Sequence, residues 1–295
     1  MTDVVAGAAA GFPAGAWLEA LVAQSLDEDL GSGDVSAAVA VAPGAVASGA
    51  LVARQAGVIA GLPLVGLVYA ALDPAVTVQC LVADGTSLAA GTPVARLSGP
   101  AASLLSGERT ALNFVQHLGG IATLTARYVA AAGNARCLVL DTRKTLPGYR
   151  ALAKYAVRCG GGANHRMGLF DRVLLKDNHW AAGAAIADMV ARARELHPGL
   201  AIEVEVDTME QLALVLPLGV EWVMLDNFAP DEVPPAVAAR DAVAPLTRLE
   251  VSGNVDLGTI GAYARAGVDA VSVGRLTHSA PALDIAMDFD LGGPR

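Results

Sequence analysis

Six runs in the second half of the chain decide the fold: RCLVLDTRK (136–144), DRVLLKDNH (171–179), AIEVEVDT (201–208), VEWVMLDNF (220–228), RLEVSGN (248–254) and VDAVSVGRL (268–276). Each is a short apolar stretch that ends in polar or small residues, and successive starts lie roughly 20 to 35 residues apart, enough for an intervening helix. The repeat is that of an α/β protein with six parallel strands, as an α/β barrel or a doubly wound sheet. Both architectures present ligand sites at the carboxyl ends of the strands. There the sequence places Arg143 and Lys144, Lys176, Glu205, Asp226, Ser252 and Gly274, which are expected to share one mouth.

Working outward toward the N-terminus, the pattern changes. Residues 103–132 read as a helix with Leu104, Ala111, Leu112, Val115 and Leu118 in an apolar stripe, interrupted at Gly119-Gly120. Residues 46–97 read as short strands broken by turns, and the uncharged run from Arg54 to Asp73, with its Pro63 and three glycines, as buried core rather than a membrane span. A helix is expected from Trp17 to Leu26, followed by the acidic turn DEDLGSGDVS (27–36), which does not complete an EF-hand pattern and reads as a polar turn.

The 295 residues, 54% hydrophobic and 17% charged, suffice for one large or two medium domains and exclude a disordered chain. No Lys or Arg precedes Arg54, so the N-terminal stretch lacks the basic flank of a signal or transit peptide, and a cytoplasmic location is expected. Cys80, Cys137 and Cys159 have no C-x-x-C spacing and read as reduced core thiols. A net charge of −9 argues against nucleic acid as partner. Its distribution says more: residues 136–176 hold nine basic side chains against two acids, and the remaining 254 residues carry 11 basic and 27 acidic groups. All three lysines of the chain, Lys144, Lys154 and Lys176, fall in that window. Such segregation points to a compact anion site, the alternative being a solvated helix face.

Strand alternation sends Glu203, Glu205 and Asp207 to one face. For Glu203, pairing with arginines inside a barrel weighs equally with a functional role. Glu205 and Asp226, at strand ends, suit a divalent metal such as magnesium or sugar hydroxyls. Lys176 reads as a Schiff-base lysine or as a plain cation for an anionic ligand, and the surrounding arginines favour the second. Ser252-Gly253 and Gly274 leave backbone N–H groups open to a phosphate, with a short helix from Thr277. His117 and His197 are given no role.

The strings GERTALNFVQHLGGIATLT (107–125), DTRKTLPGYRALAKYAVRCGGGANHRMGLFDRVLLKDNH (141–179), IEVEVDT, VMLDNF, VSGN and GVDAVSVGRLTHSAPALDIAMDF (267–289), with the acidic turn EDLGSGD, resemble the quinolinate phosphoribosyltransferase family over most of the chain. The resemblance implies a type II phosphoribosyltransferase architecture: an N-terminal α/β sandwich domain over 1–120, an incomplete α/β (TIM-like) barrel over 121–280, and a tail, 281–295, that returns to the sandwich. It implies transfer of phosphoribosyl from 5-phosphoribosyl-1-pyrophosphate (PRPP) to quinolinate, with loss of carbon dioxide and pyrophosphate, giving nicotinate mononucleotide for NAD synthesis.

By the same resemblance Arg143, His165, Arg166 and Lys176 hold the quinolinate carboxylates, joined by Arg109 from the partner subunit of a homodimer, a hexamer of dimers being the larger alternative. Lys144 and Lys176 face the donor's pyrophosphate and ribose, and Thr142 belongs to the same substrate-binding set. Glu205 and Asp226 take hydroxyls and magnesium, with manganese as an alternative, largely through water. Lys144, Lys176, Glu205 and Asp226 thus form the catalytic set. Ser252, Gly253 and Asn254, with Val273, Gly274, Arg275 and His278, surround the 5-phosphate. The competing readings are a phosphoribosyltransferase for nicotinate or another planar acid, a Schiff-base aldolase built on Lys176, and a non-catalytic phosphosugar-binding barrel.

Overall fold

The computed structural model describes residues 11–180 and 185–290. The elements run α1 (Ala16–Leu30), α2 (Val35–Ala40), β1 (Val46–Ala53), β2 (Gly57–Val58), α3 (Leu62–Leu72), β3 (Thr77–Cys80), β4 (Ser87–Leu88), β5 (Pro93–Pro100) and α4 (Ala101–Ala132). There follow β6 (Leu138–Leu140), α5 (Arg150–Cys159), β7 (Val173–Leu175), α6 (Asp177–Trp180), α7 (Ile186–Leu196), β8 (Ile202–Val206), α8 (Met209–Val215) and β9 (Trp222–Asp226). The last are α9 (Val233–Val243), β10 (Arg248–Ser252), α10 (Ile260–Ala266), β11 (Ala270–Ser272), α11 (Arg275–His278) and β12 (Ile285–Asp290). Described residues fall into two compact units, one of residues 11–124, 151–160 and 280–290, the other of 125–150 and 161–279. Residues 151–160, inside the stretch expected for the barrel, group with the first unit. The last five residues of the expected tail lie outside the described residues.

In the first unit β12, β1, β5 and β3 form an antiparallel sheet in that order. Alternation along β1 buries Ala47, Gly49, Leu51 and Ala53, while α1 packs on α3 and α3 on β3. The run from Arg54 to Asp73 is buried core as expected, but its centre is the helix α3 rather than short strands, with Leu62, Leu64, Val65, Val68 and Tyr69 buried. Apolar residues at nearly every position give α3 no visible period. Its start is fixed by Asp84, which accepts the N–H groups of Gly61 (2.8 Å) and Leu62 (3.1 Å). In the acidic turn Asp34 accepts Ser36 N–H (3.0 Å), Ala37 N–H (2.8 Å) and the Ser106 hydroxyl (2.9 Å), so it caps α2.

The expected break at Gly119-Gly120 does not occur; α4 is continuous. These glycines serve close packing. A Cβ on Gly120 would lie 2.2 Å from the Pro281 carbonyl oxygen, and one on Gly119 would lie 2.9 Å from the Leu283 side chain. Leu283 N–H donates to Gln116 O (2.8 Å) and Gln116 Nε2 to Ile285 O (2.7 Å), which seats this segment on the helix. Gly120→Ala is therefore expected to lower the denaturation midpoint, with a loss of about 1–3 kcal/mol from overpacking. An unchanged or raised midpoint, as helix propensity alone would give, would contradict this.

In the second unit six parallel strands are ordered β6-β11-β10-β9-β8-β7. No pairing joins β6 to β7 among the described residues, so the α/β barrel is incomplete; beside β6, Ala163 makes a one-residue parallel bridge to Leu140. One strand face carries Val204, Val206, Val223, Leu225, Leu249, Val251 and Val271, all fully buried. The other carries Glu203 and Glu205, Trp222, Met224 and Asp226, Arg248, Glu250 and Ser252, then Ala270 and Ser272. A small core of Leu140, Ala163, Trp222 and Ala270 fills this side, and the Arg172 and Arg248 guanidinium carbons each stand 5.3 Å from the Trp222 ring centroid. No helix among the described residues is long and apolar enough to cross a membrane. Cys137 is buried as expected for a core thiol, but Cys80 is exposed and Cys159 partly so.

Candidate active site

The strand tips of the second unit surround a cavity of about 310 Å³ lined by Thr142, Arg143, Lys144, His165, Arg166, Leu174, Lys176, Glu205, Met224, Asp226, Ser252 and Ser272. Nine of the residues picked from sequence are therefore brought together. Each is fixed by neighbours the fold supplies. Buried Asp141, at the end of β6, accepts the His165 N–H (3.0 Å) and the Asn164 amide (2.6 Å) and so pins the loop after Gly162. Arg166 N–H donates to His165 Nδ1 (2.7 Å), and Arg166 Nη1 donates to Arg172 O (3.3 Å). Arg150 joins two loops, donating from Nε to Thr145 Oγ1 (3.2 Å) and from Nη1 to Met167 O (3.0 Å). Thr142 Oγ1 accepts the Lys144 N–H (3.0 Å), and the Thr277 hydroxyl donates to Lys144 O (2.7 Å).

The electrostatics favour an anion. Arg166 is 9% exposed, and burial followed by the nearby Arg143 guanidinium lowers its pKa from the usual arginine value. A buried guanidinium crowded by a second one is relieved by a carboxylate or phosphate between them. Just past the end of β7, Lys176 Nζ is ion-paired with Glu205, whose side chain is 7% exposed. That contact favours the plain ammonium over a Schiff-base amine. Burial raises the Asp226 pKa, against the pull of Lys176.

The residues expected at the phosphate lie around the same strand tips, outside the cavity lining except for Ser252. Gly253 has φ +98°, and a Cβ there would stand 2.2 Å from Asn227 Oδ1, so glycine is required. Asn254 is left-handed at φ 48°. Val273 directly follows β11, and a Cβ on Gly274 would meet Lys144 Cδ and His278 Nε2, each at 3.2 Å. Arg275 and His278 lie on α11, which is only four residues long. Arg109 sits on α4 in the first unit. Of the histidines given no role, His117 is partly buried, and His197 closes α7 with its N–H on Ala193 O (2.9 Å).

Below the cavity lies a buried set that the sequence reading left largely unassigned. Glu203 Oε2 stands 3.0 Å from Arg172 Nη1 and 3.1 Å from His165 Nε2, which satisfies the arginine-pairing alternative for Glu203. Glu250 Oε1 accepts the Ser272 hydroxyl. The alternation that singled out Glu203 and Glu205 also puts Glu250 on the inner face, so RLEVS carried the signal.

An incomplete parallel barrel with guanidinium and ammonium groups on its rim defines an α/β-barrel protein with an anion-binding mouth. The family description "Quinolinate phosphoribosyl transferase, N-terminal domain" matches residues 34–119, and "Quinolinate phosphoribosyl transferase, C-terminal domain" matches residues 121–288. The chain is 44% identical over 271 residues to the nicotinate-nucleotide pyrophosphorylase [carboxylating] of Mycobacterium leprae, covering 91% of this chain and 95% of that one. It is 40% identical over 265 residues to a probable nicotinate-nucleotide pyrophosphorylase [carboxylating] of Bacillus subtilis, covering 90% of each. The crystal structure of NadC from Streptococcus pyogenes superposes with a TM-score of 0.88 at 40% identity, over 92% of this chain and 96% of that one. The chain belongs to the quinolinate phosphoribosyltransferase family.

Proposed function

We propose that the protein transfers the phosphoribosyl group of PRPP to quinolinate and releases pyrophosphate and carbon dioxide, forming nicotinate mononucleotide in de novo NAD synthesis. One observation carries the reading: Arg143, Lys144, His165, Arg166 and Lys176 line a single cavity with Glu205 and Asp226. The names of the relatives, nicotinate-nucleotide pyrophosphorylase and quinolinate phosphoribosyltransferase [decarboxylating], agree with it.

Arg143 and Arg166 clamp the quinolinate carboxylates and orient the pyridine nitrogen toward the anomeric carbon, a task for which the planar guanidinium fork is suited. As the anomeric bond breaks, the ribose ring gains positive character and the pyrophosphate gains negative charge. Lys144 and Lys176 stabilise the leaving group, and the Glu205 and Asp226 carboxylates tolerate the cationic ring. The nitrogen's electron pair forms the new bond to carbon. The resulting pyridinium then accepts the electrons left when the adjacent carboxylate departs as carbon dioxide, and that ring carbon takes up a proton. Ser252, Gly253, Asn254 and Gly274, with Val273, Arg275 and His278 beside them, hold the 5-phosphate.

Glu205 and Asp226 offer hard oxygen donors, and Lys176 already takes one Glu205 oxygen. That donor set fits a magnesium ion held mainly through water and the donor's own oxygens. When bound, the ion supplies further charge neutralisation at the pyrophosphate.

The working unit of this reading is a homodimer in which Arg109 reaches the partner's site. Arg109→Ala is expected to raise the quinolinate KM about tenfold or more while moving the PRPP KM little, as for one lost charged contact. Steady-state kinetics in each substrate checks this; equal losses for both would contradict it. The activity itself is tested by supplying PRPP and magnesium with quinolinate or with nicotinate. Nicotinate mononucleotide with carbon dioxide from quinolinate alone is expected, and product from nicotinate alone would favour the other phosphoribosyltransferase reading.

A further inference from the structure

Beneath the carboxylate clamp, His165 meets two buried acids, Glu203 and Glu250, that the chemistry above does not use. Glu250 is fully buried, and its Oε2 has no hydrogen-bond partner among the described residues. His165 Nε2 stands 3.6 Å from that oxygen and 3.1 Å from Glu203 Oε2. Donor atoms of His165, Glu203 and Glu250 all lie within 4.8 Å of one another. Glu203 has a permanent cation, Arg172 Nη1 at 3.0 Å, whereas the only ion-pair contact of Glu250 among the described residues is the imidazole.

Two carboxylates against one guanidinium leave one negative charge in a dry interior, and such close carboxylates resist ionising together. One proton on Glu250 or on His165 removes the imbalance. Because His165 Nδ1 accepts the Arg166 N–H (2.7 Å), the ring's own proton sits on Nε2, facing the two acids, and the additional proton belongs on Glu250. His165 also lines the cavity, so a dianion placed there acts directly on the set.

We propose that this set holds one exchangeable proton that is gripped more tightly when a diacid fills the pocket, so that quinolinate binding takes up a proton through Glu250. The inference rests on the reading of this pocket as the quinolinate site. Its sign follows from linkage: a dianion raises the proton affinity of the set. The affinity gain is fully present below the midpoint of the free protein and is lost as pH rises through the midpoint of the complex. Burial, and then Glu203, push the Glu250 carboxyl up to about 7. Burial works to lower the His165 pKa, but Glu250 and Glu203 outweigh it and the net direction is up.

Other charged groups face the same proton. Arg172 opposes it, acting on both Glu250 and His165, and Arg166 interacts with Glu203 from the rim; Asp141, at the end of β6, accepts the His165 N–H. Ser272 on β11 donates to the Glu250 carboxylate and favours its ionised form, while β9 presents only the apolar Met224 opposite Glu250.

The test is calorimetric titration of quinolinate into the intact protein in buffers of differing ionisation enthalpy, from about pH 6.5 to 8.5, with the pH profile of the quinolinate KM at saturating PRPP beside it. Wild type is expected to take up a proton fraction that peaks within this range, and its KM to rise up to tenfold per pH unit there. Glu250→Gln should lose the uptake and flatten the profile. Ser272→Ala, which removes the hydroxyl that favours the carboxylate, should move the window to higher pH. No uptake in wild type, equal uptake in Glu250→Gln, or an unmoved window in Ser272→Ala would overturn the inference. Turnover without proton uptake defeats this inference alone; absence of turnover defeats the functional reading instead.

Discussion

Lys176→Ala is expected to lower kcat/KM by about 10³-fold, the scale seen when a group that meets developing charge is removed. Lys176 forms an ion pair with Glu205 from one wall of the cavity, and its charge also holds down the pKa of Asp226, which burial raises. Removing the ammonium therefore does two things. The leaving pyrophosphate loses a cation, and Asp226, whose pKa burial already raises, becomes harder to ionise, so residual activity shifts toward higher pH. Kinetics across pH check both effects, with a thermal melt to confirm folding. A folded variant within tenfold of wild type at every pH would remove Lys176 from the mechanism.

Arg166→Ala should raise the quinolinate KM about 10²-fold, the loss of a desolvated charged contact, and change the PRPP KM far less. The side chain is 9% exposed and held by its Nη1 bond to Arg172 O (3.3 Å), so it reaches the pocket already oriented. Its repulsion with Arg143 is relieved by substrate, which concentrates the benefit in the bound state. Arg166→Lys should recover little, since a single ammonium cannot grip a carboxylate with two parallel donors. Equal KM changes for the two substrates, or full rescue by lysine, would contradict the clamp.

Much of the barrel was legible in the sequence because strands buried on both sides announce themselves as short apolar runs, and because alternation marks which residues turn inward. That rule placed Glu203 and Glu205 on the inner face and applies equally to Glu250. Glu250 escaped notice because its significance depends on His165, Arg172 and Ser272, which come from other elements and meet it only in the folded barrel. The same limit applied to Gly119-Gly120, where local propensity predicts a break but the 281–285 segment demands two residues without side chains. Helix α3 was hidden for the opposite reason: its uniform apolarity erased the period. The basic window from 136 to 176 was visible as composition, yet its members do different work. Arg143, Lys144, Arg166 and Lys176 reach the cavity, Arg150 ties loops together, and Arg172 balances Glu203.

The central claim is that one cation-rimmed cavity holds quinolinate beside the phosphoribosyl donor, and a crystal structure with quinolinate and a non-reacting PRPP analogue tests it most directly. The account predicts quinolinate carboxylates within hydrogen-bond distance of the Arg143 and Arg166 guanidiniums and the analogue's pyrophosphate beside Lys144 and Lys176. Quinolinate bound elsewhere, or turned with its carboxylates away from those arginines, would contradict it.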